Sequence, residues 1–155
     1  MSTITYIFPN RGKFIIDLEK IYNKEEEVIK SLLDSEYYEL NENYRNTLQV
    51  VDYCNKVLNL KMKDLGVNGN EVIVKKFQDV EEVVECAKNN SATVVTNNQE
   101  VLNKLKVKDG VRAMSVKASK GLEFKNVIVI DDNLSKNEKY VAYTRSLNDL
   151  IIYLM

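Results

Sequence analysis

The chain has 155 residues, of which 45% are apolar, and a formal charge of −1. This length and apolar content predict a single domain over residues 1–155, with one hydrophobic core. The near-neutral charge excludes a general attraction to polyanions, so any nucleic-acid contact must come from a local basic face.

Cysteine and histidine usage narrows the chemistry further. The chain contains no histidine, and its cysteines, Cys54 and Cys86, are far apart with no C-x-x-C motif. These features exclude zinc sites and histidine-based acid–base catalysis, and they indicate buried, reduced thiols. No segment approaches the roughly 18 unbroken apolar residues that a membrane span needs, and the N-terminus lacks a signal-peptide pattern. We therefore expect a cytoplasmic protein with no membrane partner.

Hydrophobic periodicity predicts strands and helices that alternate along the chain. Crossover-length helices between strands, and near-continuous apolar runs such as NVIVI, indicate a mostly parallel sheet covered on both faces. The expected fold class is α/β, a three-layer α/β/α domain. In order, the predicted elements are a helix at Glu25–Leu33, a strand at Glu36–Leu40, a helix at Asn46–Leu60, a turn at Leu65–Asn70, a strand at Glu71–Phe77, a helix at Val80–Lys88, a strand at Ala92–Thr96, a helix at Asn98–Leu105, strands at Val111–Val116 and Asn126–Asp131, a helix at Glu138–Arg145 and a strand at Leu150–Leu154.

The loop KASKGLEF, at Lys117–Phe124, precedes the NVIVI strand. It contains Gly121, where backbone can approach a ligand closely, and Glu123, whose carboxylate can accept hydrogen bonds from sugar hydroxyls. Ligands of parallel sheets bind outside the carboxyl ends of the strands, and we expect this loop to lie at such an end.

Two further segments contain arginines that are suited to phosphate. The chain has only four arginines, and two of them fall in NENYRNT, at Asn41–Thr47, and YVAYTR, at Tyr140–Arg145. Arginine presents a rigid fork of donors to a phosphate group, and a finger on a transferring phosphoryl group is worth about 10³–10⁵ in rate. A surface ion pair is the alternative interpretation of each arginine taken alone.

In order and approximate spacing, these three segments resemble the second RecA-like (2A) motor domain of the UvrD/Rep-like superfamily 1 DNA helicases. The resemblance implies a RecA-like fold of the P-loop NTPase type. It also implies that Arg45 and Arg145 reach the γ-phosphate of ATP and that Tyr44 stacks on the adenine. By the same resemblance Glu123 contacts the ribose, and Gly121 lets the loop approach.

The resemblance also implies contacts with single-stranded DNA. SVKASK, at Ser115–Lys120, resembles a stretch written T-x-H-x-A-K, whose histidine touches the strand. Lys117 takes the place of that histidine and would act as a point charge on phosphate. Ser115, in the place of the threonine, is a further candidate contact. In VVTNNQ, Asn97 takes the role of a strand-facing asparagine, whereas Val95 replaces the family arginine. A helix cap is the equally weighted alternative for Thr96–Asn98.

The resemblance leaves parts of the motor to another domain. The sequence contains no G-x-x-x-x-G-K-[ST] phosphate loop, so we expect no ATP hydrolysis by the chain alone. A first motor domain, in cis or in trans, would complete the ATP site and hold the magnesium ion. The acidic pair Asp131–Asp132 follows the KASKGLEF loop, and the matching family strand carries no metal. Residues 1–35 are expected to be a hinge or linker, with Arg11 near it and an aliphatic helix in FIIDLEKIY.

Three other interpretations remain. A non-catalytic adaptor that binds nucleic acid or protein would keep the fold without the motor. A receiver-like signalling domain is suggested by Asp131–Asp132, although that pair lies near the end of the chain. A solvated lysine-rich surface is the alternative for the basic cluster of Lys104, Lys106, Lys108, Arg112, Lys117, Lys120 and Lys125.

Overall fold

The computed structural model of the chain describes residues 4–9, 14–17, 35–40 and 42–155. Arg11 and the helix predicted at Glu25–Leu33 lie outside these ranges. The described strands are β1 Ile4–Pro9, β2 Phe14–Asp17, β3 Ser35–Leu40, β4 Glu42–Asn43, β5 Lys63–Asp64, β6 Ile73–Lys76, β7 Thr93–Thr96, β8 Arg112–Met114, β9 Phe124–Asp131 and β10 Ser146–Leu154. The described helices are α1 Leu48–Leu58, α2 Val80–Asn89, α3 Gln99–Lys106, α4 Val116–Ser119 and α5 Lys136–Tyr143.

Strands β1, β2 and β3 form an antiparallel sheet in the order β2-β1-β3. The strand predicted at Glu36–Leu40 is confirmed as β3, but the hairpin of β1 and β2 was not predicted. Phe14–Asp17 is a strand and not the beginning of an aliphatic helix. The β-branched residues Ile15 and Ile16 favour a strand, and both lie opposite residues of β1 in the sheet.

Within the described residues, the main sheet has five strands, all parallel, in the order β6-β10-β9-β7-β8. Its central strand β9 is buried along most of its length. Strand β6 is exposed at one edge. This arrangement confirms the predicted parallel sheet, and it explains the continuous apolar run of β9, because a strand covered on both faces has no polar side.

Alternating side chains of the sheet form two apolar layers. Val127 and Val129 of β9 pack on one face with helices α1, α4 and α5. Ile128 and Ile130 pack on the opposite face with α2 and α3. The period-two alternation of a strand therefore supplies both layers from one segment, which gives the three-layer α/β/α fold. Among the described helices none is long and apolar enough to cross a membrane.

The boundaries of the main helices follow from their caps. The Asp79 side chain accepts a hydrogen bond from the Glu82 amide and begins α2 as expected, and Asn98 does the same for α3. Ser135 and Glu138 form a capping box at the start of α5. Helix α1 begins two residues later than predicted, after Thr47.

The connection from β8 to β9 corrects two expectations. The strand predicted to reach Val116 ends at Met114, because the Ser115 side chain caps α4 by accepting a hydrogen bond from the Ala118 amide. The connection then returns along the sheet, as a crossover between parallel strands must. Its last residues, Gly121–Glu123, therefore lie at the amino end of β9 and not at a carboxyl end.

The two cysteines differ in environment. Cys54 of α1 is fully buried, and this burial raises the pKa of its thiol to about 12. Cys86 of α2 is half-buried, and its sulfur accepts a hydrogen bond from the Asn90 side chain. Both thiols are free, and Cys54 behaves as a small apolar core residue.

Candidate nucleotide and nucleic-acid sites

Two of the residues predicted to contact a nucleotide form an ion pair. Arg45 Nε lies 2.7 Å from Glu123 Oε1, and the two side chains are 27% and 40% exposed. Arg45 follows β4, whereas Glu123 precedes β9, so the fold brings the NYR and KASKGLEF segments together. A pair with this exposure stabilises the fold by only about 0–1 kcal/mol. A ligand can therefore exchange it at little cost in stability.

Arg145 lies directly behind this pair and is fully buried. Its Nη1 donates to the Leu122 carbonyl at 2.9 Å, and its Nε donates to the Val141 carbonyl at 2.9 Å. Its own carbonyl accepts from the Phe124 amide at 3.0 Å. Arg145 thus fixes the residues on both sides of Glu123 and holds that carboxylate in place. In this arrangement its guanidinium has no surface open to a ligand.

Asn46 performs the equivalent task for Arg145. Its buried Nδ2 donates to the Thr144 carbonyl at 3.1 Å and to the Ser146 carbonyl at 2.6 Å. Its Oδ1 accepts from Asn43 Nδ2 at 2.9 Å. Because Asn46 adjoins Arg45, its amide joins the NYR segment to both neighbours of Arg145. The sequence-based prediction placed Asn46 in a helix and missed this contact.

A glycine-containing loop closes over the NYR segment. The Leu48 amide donates to the Val67 carbonyl at 3.0 Å. A Cβ atom at Gly66 would overlap the Asn46 carbonyl oxygen, and one at Gly69 would overlap Cγ2 of Thr47. Both glycines are therefore required by close packing, and the predicted turn at Leu65–Asn70 is a support for the candidate site.

Strand β10 is irregular beside the site. Its register with β9 shifts between Ser146 and Asp149, so that three steps along β10 match two along β9. The Ser146 hydroxyl donates to the Asp149 carbonyl at 2.8 Å across this bulge. Bulges re-aim side chains next to functional sites. Here the bulge follows Arg145 directly, next to the Ser146–Phe124 pair that joins the amino ends of the two strands.

Tyr44 and Gly121 are open to solvent. The Tyr44 side chain is 60% exposed, and its hydroxyl donates to Glu42 Oε2 at 2.8 Å. This hydrogen bond raises the pKa of the Tyr44 phenol and lowers the pKa of the Glu42 carboxyl. Gly121 has a φ of +73° with open space around its Cα, so its role in this structure is to supply a left-handed turn.

The residues predicted to contact nucleic acid lie together at the carboxyl ends of β7 and β8. Asn97 Oδ1 accepts from the Val116 amide at 3.1 Å, and its Nδ2 donates to Glu138 at 2.9 Å. Ser115 is the cap of α4, and Lys117 is exposed on that helix. The predicted nucleic-acid contacts therefore lie at the carboxyl ends of the strands, whereas the predicted nucleotide contacts lie at the amino ends of β9 and β10.

The basic cluster is divided between faces and partners. Lys104 pairs with Glu100 at 2.6 Å, and Lys108 pairs with Glu81 at 2.6 Å, both on the α2–α3 face. Arg112 lies over the Phe124 ring at 5.0 Å, where a cation–π contact holds it. The exposed Lys117 extends from the opposite face, so the cluster does not form one continuous basic surface.

Comparison with known proteins identifies the family of this chain. The family model of the viral superfamily 1 RNA helicase core domain matches residues 24–154. The chain belongs to this family. No curated protein matches it significantly. The UvrD/Rep-like assignment is finer than the family match and stays a prediction.

Solved helicase structures resemble this helicase core domain. The C-terminal domain of a possible DNA helicase from Lactobacillus plantarum WCFS1 gives a TM-score of 0.50 at 20% identity, over 72% of this chain and 88% of that one. The PRRSV helicase gives 0.49 at 18% identity, over 74% of this chain and 22% of that one. The helicase domain therefore spans about a fifth of that viral protein. The first similarity confirms the RecA-like fold.

Asp131, at the end of β9, has structural contacts in this helicase domain. Asp131 is almost fully buried, and it accepts from Tyr143 Oη at 3.0 Å and from the Leu134 amide at 3.0 Å. Lys139 Nζ lies 3.1 Å from its Oδ2. Burial raises the pKa of the Tyr143 phenol, with the Asp131 charge adding to it. The saturated carboxylate gives no support to the receiver-like interpretation.

A shallow groove of about 490 Å³ lies between the first turns of α2 and α3. Asp79, Glu81, Asn98 and Lys104 line it together with Met155. It contains none of the residues predicted to contact the nucleotide, and its acidic rim disfavours phosphate. The groove therefore supplies an alternative location against which the candidate site can be tested.

The burial of Arg145 predicts a large difference between two conservative substitutions. Arg145→Lys cannot reproduce the forked donation to Leu122 and Val141, so we expect it to reduce the free energy of unfolding by about 2–4 kcal/mol. The exposed Arg112→Lys, which keeps the cation over Phe124, should cost less than about 1 kcal/mol. Urea unfolding measures both values, and equal losses would contradict the positioning of Glu123 by Arg145.

Proposed function

We propose that this domain is the second motor domain of an ATP-dependent helicase or translocase. It would contribute one side of an ATP site that a separate domain, carrying the phosphate loop and the magnesium ion, completes. The observation that supports this proposal is the convergence of Arg45, Glu123 and Arg145 on one segment, Leu122–Phe124, at the amino ends of β9 and β10.

Nucleotide binding would separate the Arg45–Glu123 pair. The ribose and the γ-phosphate of one nucleotide are too far apart for two groups 2.7 Å apart to contact both. Glu123 would accept hydrogen bonds from the ribose hydroxyls, while the long side chain of Arg45 turns to the γ-phosphate. Tyr44, exposed beside Arg45, would stack on the adenine. Gly121 would allow the turn of the loop.

Arg145 would act in two stages. In the structure it is a buried scaffold of the Glu123 segment. Contact with the γ-phosphate requires the Leu122 segment to move, so that the guanidinium exchanges a carbonyl for a phosphate oxygen. Closure of two motor domains around ATP is the kind of step that could drive such a movement. Stabilisation of the transferring phosphoryl group would follow that closure.

The nucleic-acid contacts would lie at the carboxyl ends of β7 and β8, away from the nucleotide site. Lys117 would bind a strand phosphate, and Asn97 and Ser115 brace the start of its helix. The family model describes RNA helicase cores, whereas one similar structure is a possible DNA helicase. We propose single-stranded DNA as the partner, with RNA as the comparison in the test below.

One observation favours a second candidate, an adaptor that keeps the helicase fold without the motor. Arg145 is fully buried and bonded to backbone carbonyls, so a purely structural role is sufficient to explain it. An adaptor would leave the Arg45–Glu123 pair closed in the presence of nucleotide. The motor would open it.

Glu123→Gln should affect the two halves of a nucleotide in opposite directions. The substitution releases Arg45, so inorganic tripolyphosphate should bind about threefold more tightly. Adenosine should bind about threefold more weakly, because a neutral amide is a weaker acceptor for the ribose hydroxyls. Calorimetric titration of the purified chain with each ligand separately measures the two affinities.

Glu42→Gln is the matched control for this prediction. It removes one negative charge beside Tyr44 and releases Lys63, but it leaves the Arg45–Glu123 pair intact. Its effect on tripolyphosphate should therefore be smaller than that of Glu123→Gln. Losses of affinity for both ligands in Glu123→Gln, or identical gains in the two variants, would contradict the proposed nucleotide site.

Lys117→Ala should weaken single-strand binding and reduce its salt dependence. Removing one lysine–phosphate interaction lowers the slope of log K against log salt by about 0.7 for a single strand. Lys104→Ala, which removes a paired lysine from the opposite face, should leave the slope unchanged. Fluorescence anisotropy with single-stranded DNA and RNA of one sequence measures the slopes, and an unaltered slope for Lys117→Ala would place it away from the strand.

A further inference from the structure

Asn46 occupies a special position among the buried polar residues. Its side chain makes three hydrogen bonds, two to the carbonyls that flank Arg145 and one from Asn43. Its backbone amide donates to Asn43 Oδ1 at 3.0 Å. The side chain is thus almost fully buried, and both its Oδ1 and its Nδ2 form hydrogen bonds. These bonds fix the orientation of the amide.

The contacts of Asn46 reach both arginines of the candidate site. On one side it is the chain neighbour of Arg45, whose own amide donates to Asn43 Oδ1 at 3.1 Å. On the other side it joins Thr144 and Ser146, at sequence separations of 98 and 100 residues. Among the described strands, no pairing joins these segments, because β4 pairs with β5 and β10 pairs with β6 and β9. The Asn46 amide is therefore a direct hydrogen-bonded link between the two arginine segments.

We infer that Asn46 is a positioning residue for the nucleotide site, an inference that rests on the proposed function. It sets the distance between Arg45 and the Glu123 segment that Arg145 holds. A side chain without the two donors would leave two buried carbonyls unpaired and would let the Thr144–Ser146 turn move away from Arg45. Both arginines would then be displaced relative to one ligand, although neither is changed.

The position of Arg145 can be measured without nucleotide. Its Nε–H is buried and bonded to Val141, so its hydrogen exchange reports how firmly the Arg145 segment is held. Asn46→Ala removes both donors, and Asn46→Ser is a milder variant that keeps one hydroxyl donor. Val83→Ala is the control, because Val83 is fully buried on the opposite face of the sheet.

At matched global stability, the Arg145 Nε–H of Asn46→Ser should exchange about tenfold faster than that of Val83→Ala. Equal exchange rates would show that Asn46 does not hold the Arg145 segment and would overturn the inference. This measurement is independent of ATP, so it separates a failure of the inference from a failure of the proposed function.

ATP binding supplies the functional measurement. Asn46→Ser should bind ATP about fivefold more weakly than Val83→Ala, and in an Arg45→Ala background the same change should have little further effect, because the two act as a unit. Equal affinities, or fully additive losses, would make Asn46 a structural residue only. If the unmodified chain binds no ATP while the exchange result holds, the proposed function fails and with it the nucleotide role of Asn46.

Discussion

The side-chain amide of Asn46 joins two segments that are about 100 residues apart in the chain, and the geometry of the candidate site depends on it. From Asn46 the contacts run to the neighbours of Arg145, from Arg145 to the neighbours of Glu123, and from Glu123 back to Arg45. The result is a closed ring of contacts at the amino ends of the two longest strands of the main sheet.

The members of this ring differ in how firmly they are held. The amide of Asn46 and the guanidinium of Arg145 are buried, where an unpaired polar group is costly, so in this structure they form a firmly held frame. Only the domain closure proposed above would move Arg145 out of it. The Arg45–Glu123 pair is partly exposed and worth little to stability. A rigid frame that presents a labile ion pair is suited to exchange that pair for a charged ligand, which is the behaviour proposed for the nucleotide site.

Sequence periodicity was sufficient for the layers of the fold and insufficient for the site. The NVIVI run predicts a strand buried on both faces, and Asp79 and Asn98 cap helices as expected. Asn46 was missed because a buried asparagine with partners 100 residues away leaves no periodic signal. The predicted position of Gly121–Glu123 was wrong for a related reason. The sequence does not show how far along the sheet a connection extends before the next strand begins.

Two residues depart from what periodicity predicts, each because of one specific contact. Ser115 caps a helix and ends β8 early, because a side chain that bonds the backbone competes with the strand ladder. Gly66 is required because the carbonyl of Asn46 lies where a Cβ would be. The first is a local hydrogen bond and the second a tertiary contact, and each constrains a single residue. Composition and periodicity do not show such single-residue contacts, whereas functional sites depend on them.

The most direct test of the account is a map of backbone amide chemical-shift changes on addition of ATP to the purified chain. If the proposed nucleotide site is correct, the changes concentrate at Tyr44, Arg45 and Gly121–Phe124, at the amino ends of β9 and β10. Changes concentrated in the groove between α2 and α3, or no changes at saturating ATP, would contradict it.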